Sequence, residues 1–275
     1  MKIVTWNVNG IRARAGEVAQ WVSREQPDVI CLQEIKASPE HIPQEISALP
    51  EYWSFWHGHK GYSGVSMLLR RETFPGRPHF SHPEFDHETR IVSARAGDFE
   101  VASIYVPNGG KDFQAKLKFL EAMERHAAQA QERGTRLVLC GDLNVAREER
   151  DVHPTLRKPD QIGQTPHERA LLERIIARGL ADLLRKFAPD DDRLFTWWAP
   201  WRNLKQKNIG WRLDFVLASE RIPAASCKSF REFGTSDHAP VQAVIDPGPL
   251  VYQPAPEPEK TAEPEKPPVG QLTLI

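Results

Sequence analysis

Cysteine is scarce in this chain, three in 275 residues. Cys31 and Cys140 lie inside apolar runs, where the thiol packs as a small hydrophobe. No disulfide framework is expected, and a reducing compartment fits. Long apolar runs are missing as well. No segment approaches the roughly 18 residues that read as a membrane span, and Met1 to Trp6 carry no apolar signal core. Neither secretion nor a membrane partner is expected; the expected location is cytoplasmic, on the nucleoid if the source is bacterial. Charge of one sign is lacking too, since 36 Lys and Arg against 37 Asp and Glu leave a net −1. Residues 250–275 hold four Glu and two Lys, a sum of −2, which leaves +1 for the rest. Wholesale electrostatic attraction to nucleic acid is excluded, so any basic surface must be local.

What is present reads as one globular domain over residues 1–249, with 40% hydrophobic residues to fill its core. The run Leu137-Val-Leu-Cys140, bounded by Gly141, predicts a strand buried on both faces. Asp142 and Asn144 then stand at its mouth. Alternation puts both on one side of an extended chain, where a carboxylate and an amide would share a cleft. An Asx turn would explain this octet if it stood alone, but the pattern repeats. Lys2 to Asn7 alternates like a strand and opens into Asn7-Val-Asn9-Gly10. Residues 28–34 form a second buried strand ending in Glu34, after a helix over 17–25 with Val18, Trp21 and Val22 on one face and Pro27 as its stop.

Strands are predicted at 52–57 and 64–70 around a glycine-bracketed turn, and at 91–95 and 99–106, the last carrying Tyr105 near its end. A helix spans about 112–133. After Asn144 the chain stays polar for about twenty residues, the kind of long loop that covers a site. Thr165-Pro-His-Glu168 is a capping box that opens a structural helix to about 178. Asp214 lies in a strand over 213–218, and Asp237 with His238 in a tight turn before the strand 241–245.

Half of the eight tryptophans, Trp197, Trp198, Trp201 and Trp211, fall between 197 and 211, interleaved with Arg202, Lys205 and Lys207 and followed by Arg212. No acid interrupts them. Indoles beside unpaired cations suit a nucleic-acid surface, where stacking contributes roughly 1–3 kcal/mol per base; a structural cluster is the alternative.

Many strands with helices between pairs of them suggest an α/β sandwich, two packed sheets with helices outside. Its polar strand ends can meet at one rim. Oxygen ligands without the Cys/His spacing of a zinc site suit magnesium, or manganese in its place, and such an ion beside His and Tyr favours phosphodiester hydrolysis.

The blocks W-N-V-N-G-I-R-A, D-V-I-C-L-Q-E-I-K, G-Y-S-G-V, Y-V-P-N-G-G, C-G-D-L-N-V-A, T-P-H-E-R, G-W-R-L-D-F and S-D-H-A-P, collinear over roughly 1–246, resemble the exonuclease III family of apurinic/apyrimidinic endonucleases. The resemblance implies a DNase I-like four-layer α/β sandwich of two mixed sheets flanked by helices. It further implies a magnesium-dependent DNA repair nuclease, monomeric in action on duplex DNA, that cuts 5′ to abasic sites, leaves a 3′-hydroxyl, and cleans or digests 3′ ends. By matched position, Glu34 is implied as the main metal ligand, with Asn7, Asn9 and Asp237 nearby. Asp142 would orient the attacking water with Asn144 beside it, while Tyr105 and His238, the latter oriented by Asp214, would stabilise the phosphoryl transition state. Asp142 and Asn144 are further candidates for the metal. Trp197, Trp211 and Leu213 would line a pocket for a flipped, base-free sugar, and Arg12, Lys36, Tyr62, Asn108 and Lys111 would hold the duplex. Trp197 stands where Phe is also found and Asn9 where some relatives carry an acid, which bears on pocket shape and metal binding respectively. The alternatives are a phosphatase or phosphodiesterase of the same fold acting on other phosphoesters, and a catalytically dead DNA-binding module, which would need a missing site residue.

The resemblance stops before the last 26 residues, 250–275, where six Pro accompany Glu, Ala and Lys. Such a composition predicts a disordered linker. Its end, Gln271-Leu272-Thr-Leu274-Ile275, is similar to the pentapeptides with which bacterial proteins dock on the DNA sliding clamp.

Overall fold

The structure, a computed structural model, describes residues 1–251. The clamp motif at Gln271, Leu272, Leu274 and Ile275, and nearly all of the expected linker, lie outside the described residues. The strands are β1 (Lys2–Asn7), β2 (Val29–Gln33), β3 (Tyr52–His59), β4 (Tyr62–Arg70), β5 (His79–Ser81), β6 (Ile91–Ala96), β7 (Phe99–Tyr105), β8 (Arg136–Asp142), β9 (Leu180–Asp182), β10 (Asp214–Ser219), β11 (Ala224–Ser229) and β12 (Val241–Ile245). The helices are α1 (Ile11–Glu25), α2 (Gln44–Ser47), α3 (Phe113–Glu132), α4 (Pro166–Ile176), α5 (Leu183–Phe187) and α6 (Leu204–Lys207).

Two six-stranded sheets result, ordered β11-β12-β1-β2-β4-β3 and β5-β6-β7-β8-β10-β9. Each is mixed because each contains one parallel pair, β1 with β2 and β7 with β8. Parallel neighbours need a crossover, supplied by α1 in the first sheet and α3 in the second. The inner faces meet in a core that includes Ile3, Cys31, Met67, Val101, Val138, Cys140 and Val216. Outside the first sheet, α1 buries Ile11, Val18 and Trp21 against Val4, Trp6 and Ile30. Outside the second, Leu120 and Met123 of α3 and Leu171 and Leu172 of α4 cover Leu139 and Leu217. The four layers are those expected. α1 starts at Ile11, well ahead of the predicted 17, because Ile11 and Ala15 continue the buried face while Arg12, Arg14 and Gly16 mask the periodicity in the sequence.

The predicted capping box on α4 forms: Glu168 N donates to Thr165 Oγ1 at 3.3 Å and Thr165 N donates to Glu168 Oε2 at 3.2 Å. Within the central strands, Gly141 is required by close approach, since a methyl there would fall on the Ile104 carbonyl of β7.

Candidate active site

Register does much of the assembly. Tyr105, Asp142 and Asp214 lie level with one another across β7, β8 and β10, so neighbouring strand ends deliver a phenol and two carboxylates to one rim. The first sheet delivers Asn7 at the end of β1 and Glu34 immediately after β2. Asn7 joins the two sheets at the rim. Its Nδ2 donates to Glu34 Oε1 at 2.9 Å and to Asp142 Oδ2 at 3.0 Å, while its Oδ1 accepts from Asn9 N at 3.0 Å.

Three of these residues adopt left-handed backbone, Asn9 at φ 44°, Glu34 at φ 51° and Asn144 at φ 51°. Such φ values are uncommon without glycine and cluster at functional sites. They correct one step of the sequence argument. Asp142 is the last residue of β8, and Asn144 comes alongside it through a left-handed turn rather than by strand alternation. In that turn Asn144 N donates to Asp142 Oδ1 at 2.9 Å and its Nδ2 to the Val106 carbonyl at 2.9 Å.

His238 is nearly enclosed. Its Nδ1 lies 2.9 Å from Asp214 Oδ2 and its Nε2 3.7 Å from Asp142 Oδ2. Burial works against the imidazolium, but Asp214 and then Asp142 more than offset it and push the His238 pKa up to about 10. Burial, reinforced by Asp214 and Glu34 and opposed by His238, lifts the Asp142 carboxyl to about 7. Glu34 and Asp237 move the other way: burial would raise them, yet Asn7 and Lys36 hold Glu34 below its ordinary value, and His238, Asn9 and Trp197 do so for Asp237. Tyr105 is raised well above an ordinary phenol by burial and by the charges of Glu34 and Asp142. The rim therefore sets an ionised carboxylate beside a carboxyl that can exchange protons near neutrality, with two proton donors facing them.

Glu34, Asp142 and His238 bring ligand atoms within 4.8 Å of one another, and the rim is rich in oxygen. That donor set fits a hard divalent ion. Asp237 opens on the same cleft, its oxygens accepting from Asn9 Nδ2 at 2.8 Å and Trp197 Nε1 at 3.1 Å. The cleft, of about 430 Å³, is also lined by Asn108, Gln161, Ile162, Trp197, Trp211 and Leu213. Gln161 to Gly163 come from the loop expected to cover a site. Gly163 has to be small, because a methyl there would meet the Trp211 ring at 2.9 Å. Trp197 meets Trp211 edge to face at 5.8 Å.

The residues implied as DNA contacts are less uniform. Tyr62 is 52% exposed and Lys111 Nζ lies 6.0 Å above its ring, so these two form an open shoulder. Asn108 is exposed on the cleft wall, Arg12 is exposed on the first turn of α1, and Lys36 is paired with Glu34 at 2.7 Å and with Asn9 Oδ1 at 2.5 Å. The Trp-rich basic segment divides. Trp201 is exposed, whereas Trp198 and Arg212 are core. Arg212 is not an unpaired cation: Asp151 and Asp182 each accept from it at 2.7 Å.

Several supporting residues escaped the sequence reading. Arg90 lies 4.7 Å from the Tyr105 ring and donates to Tyr62 Oη at 3.1 Å. Lys116, fully buried, pairs with Glu168 at 2.5 Å and donates to the Asn144 carbonyl at 2.7 Å. Thr196 Oγ1 accepts from the backbone N–H of both Leu213 and Asp214 at 3.0 Å. A lysine on the apolar face of α3 was the available signal for Lys116; the other two carried none.

Residues 4–238 match the endonuclease/exonuclease/phosphatase family, and the chain belongs to it. Within that family it is an enzyme of the exodeoxyribonuclease III and AP endonuclease type, a hydrolase. It is 36% identical over 261 residues to the DNA repair nuclease APEX1 of Danio rerio, covering 88% of this chain and 81% of that protein. The exodeoxyribonuclease of Bacillus subtilis is 29% identical over 255 residues, covering 90% of this chain and all of its own length (100%). Among solved structures, an AP endonuclease from Archaeoglobus fulgidus superposes with a TM-score of 0.78 at 29% identity, over 90% of this chain and 99% of its own. The 3′ phosphatase NExo from Neisseria, bound to a product DNA hairpin, does so with a TM-score of 0.80 at 27% identity, over the same shares of 90% and 99%.

Proposed function

We propose that this enzyme is a DNA repair nuclease that hydrolyses the phosphodiester 5′ to an abasic site in duplex DNA, leaves a 3′-hydroxyl, and trims or cleans 3′ ends in the same cleft. One observation carries the reading: the buried Asp214–His238–Asp142 array opens directly onto a wall of Trp197, Trp211 and Leu213. The array handles a phosphodiester. The wall admits a sugar without its base, and an abasic nucleotide is the cheapest to extrude from a duplex. The APEX1 and AP endonuclease relatives support the substrate, and the 3′ phosphatase supports end cleaning.

Asp142 orients the attacking water and takes its proton, with Asn144 fixing the carboxylate. His238, held by Asp214, donates to a phosphoryl oxygen, and Tyr105 keeps its phenolic proton for the same purpose. Arg12, Lys36, Tyr62, Asn108 and Lys111 bind the duplex backbone. Glu34, with Asp237, Asn9 and Asn7 around it, would hold magnesium, or manganese in its place, which when bound stabilises charge on the phosphoryl and leaving oxygens. The catalytic unit is residues 1–249, acting as a monomer. The clamp reading rests on the sequence Q-L-T-L-I alone; a chain ending at Pro268 should lose clamp pull-down and keep incision, and equal clamp binding by both forms would remove it.

Asp142→Asn preserves shape and removes the base, so turnover on an abasic duplex should fall by roughly 100-fold or more while DNA binding persists. Glu34→Ala should raise the magnesium concentration at half-maximal rate. Near-normal turnover in the first, or an unchanged magnesium requirement in the second, overturns the assignments.

A further inference from the structure

The free edges of the two sheets approach each other at β3 and β5, among residues that do not line the cleft. His57 belongs to β3, His82 follows β5, and Asp86 lies in the loop before β6. Their ligand atoms all fall within 4.8 Å of one another. His57 Nε2 lies 2.6 Å from Asp86 Oδ2, and the His57 and His82 rings stack at 4.5 Å with only 10° between their planes. The geometry points to a second metal site here, a His57–His82–Asp86 site for zinc or a similar borderline divalent ion, chemically distinct from the oxygen-rich cleft.

A plain His–Asp hydrogen bond is the simpler account, and it leaves two features unexplained. The first is how firmly Asp86 is aimed. Its Oδ1 accepts from Arg90 N at 2.7 Å and Ile91 N at 3.1 Å, which turns Oδ2 towards the imidazoles. Outer hydrogen bonds of this kind orient metal ligands. The second is the convergence of three donors from two separate segments, β3 and the loop between β5 and β6, two of the donors enclosed, with side-chain exposures of 17% for His57 and 9% for Asp86, and the third, His82, exposed. That leaves an entry path and room for water as a fourth ligand. Ligand bonds of about 2.0–2.2 Å place tetrahedral donors roughly 3.3 Å apart. The His57–Asp86 pair, 2.6 Å apart, opens to that spacing when the ion displaces the proton between them to solvent, and the exposed His82 rotates to meet the ion. Two imidazoles and one carboxylate favour zinc over magnesium.

The location gives the site a consequence. Phe55 and Phe80 already stack at 5.3 Å across the same two edges, so an ion above them would clip the sheets together. It would also fix the loop whose Arg90 packs against Tyr105. The inference does not rest on the nuclease reading.

The test uses the full chain, stripped of metal by a chelator, then titrated with zinc in excess magnesium by calorimetry and assayed for bound metal after gel filtration. His82→Ala is the informative variant because the side chain is exposed; His57→Gln is its partner. The wild type should retain one zinc ion more than His82→Ala and bind it about tenfold or more tightly than either variant does at this site. Zinc should also raise the melting temperature of the wild type and not of His82→Ala. Equal zinc content and affinity in the wild type and His82→Ala would overturn the proposal, as would a wild type that retains no zinc.

Discussion

Replacing Asp214 by Asn tests how His238 is held. Nδ1 of His238 and Oδ2 of Asp214 are 2.9 Å apart, with side-chain exposures of 4% and 0%, so water does not compete for the pair. Burial alone would drive the proton off His238; Asp214 is the largest influence holding it, followed by Asp142, and the result is a pKa of about 10. The substitution removes the first charge and leaves Asp142, 3.7 Å from Nε2. A hydrogen bond to a charged group contributes about 1.5–3 kcal/mol, and at about 1.36 kcal/mol per pKa unit the His238 pKa should fall by roughly one to two units. The imidazolium persists below its pKa. The wild type therefore keeps the cation until the pH rises through about 10, and the variant loses it earlier. Because the folded pKa lies above the ordinary 6.5, the stability this pair contributes is fully present below 6.5 and is lost as pH rises through about 10. Proton NMR of the imidazole in EDTA follows the titration, and turnover on abasic duplex should drop by about 10- to 100-fold. Equal midpoints in the two proteins would refute the electrostatic account of His238.

Arg212→Ala should cost about 1.5–3 kcal/mol in urea denaturation, because Asp151 and Asp182 lose their fully buried partner and keep only the cations Arg185 and Arg147 respectively; a loss under about 1 kcal/mol would contradict this. Glu100 is also buried, and although burial opposes its charge, His126 and Arg95 lower its pKa from 4.5 to about 2. Its contribution to stability is thus present above pH 4.5 and lost as pH falls through about 2. Glu100→Gln should flatten that acid limb by a few kcal/mol, and a variant as acid-sensitive as the wild type would show that the pairing contributes little.

The strand ends were legible because burial is written locally: apolar runs ending in Asn7, Glu34, Tyr105 and Asp142 can only place those groups at a mouth. Lateral register was not legible. Nothing near Asp214 in the sequence says that it pairs opposite Asp142. Arg212 shows the same limit from the other side. Its partner Asp151 is 61 residues away, so a cation that reads as a free phosphate contact among tryptophans is buried structure. The left-handed turns at Glu34 and Asn144 also escape local propensity, which disfavours such φ values outside glycine. They are held by surrounding contacts, among them the buried Lys116–Glu168 pair behind Asn144.

Incision of a duplex carrying a single abasic site, by the full chain with magnesium, tests the central claim most directly. The account predicts a nick immediately 5′ to the lesion, a 3′-hydroxyl that a polymerase extends, no nick in undamaged duplex of the same sequence, and loss of cutting in EDTA. An intact abasic duplex under conditions where a soluble phosphoester is turned over would contradict it.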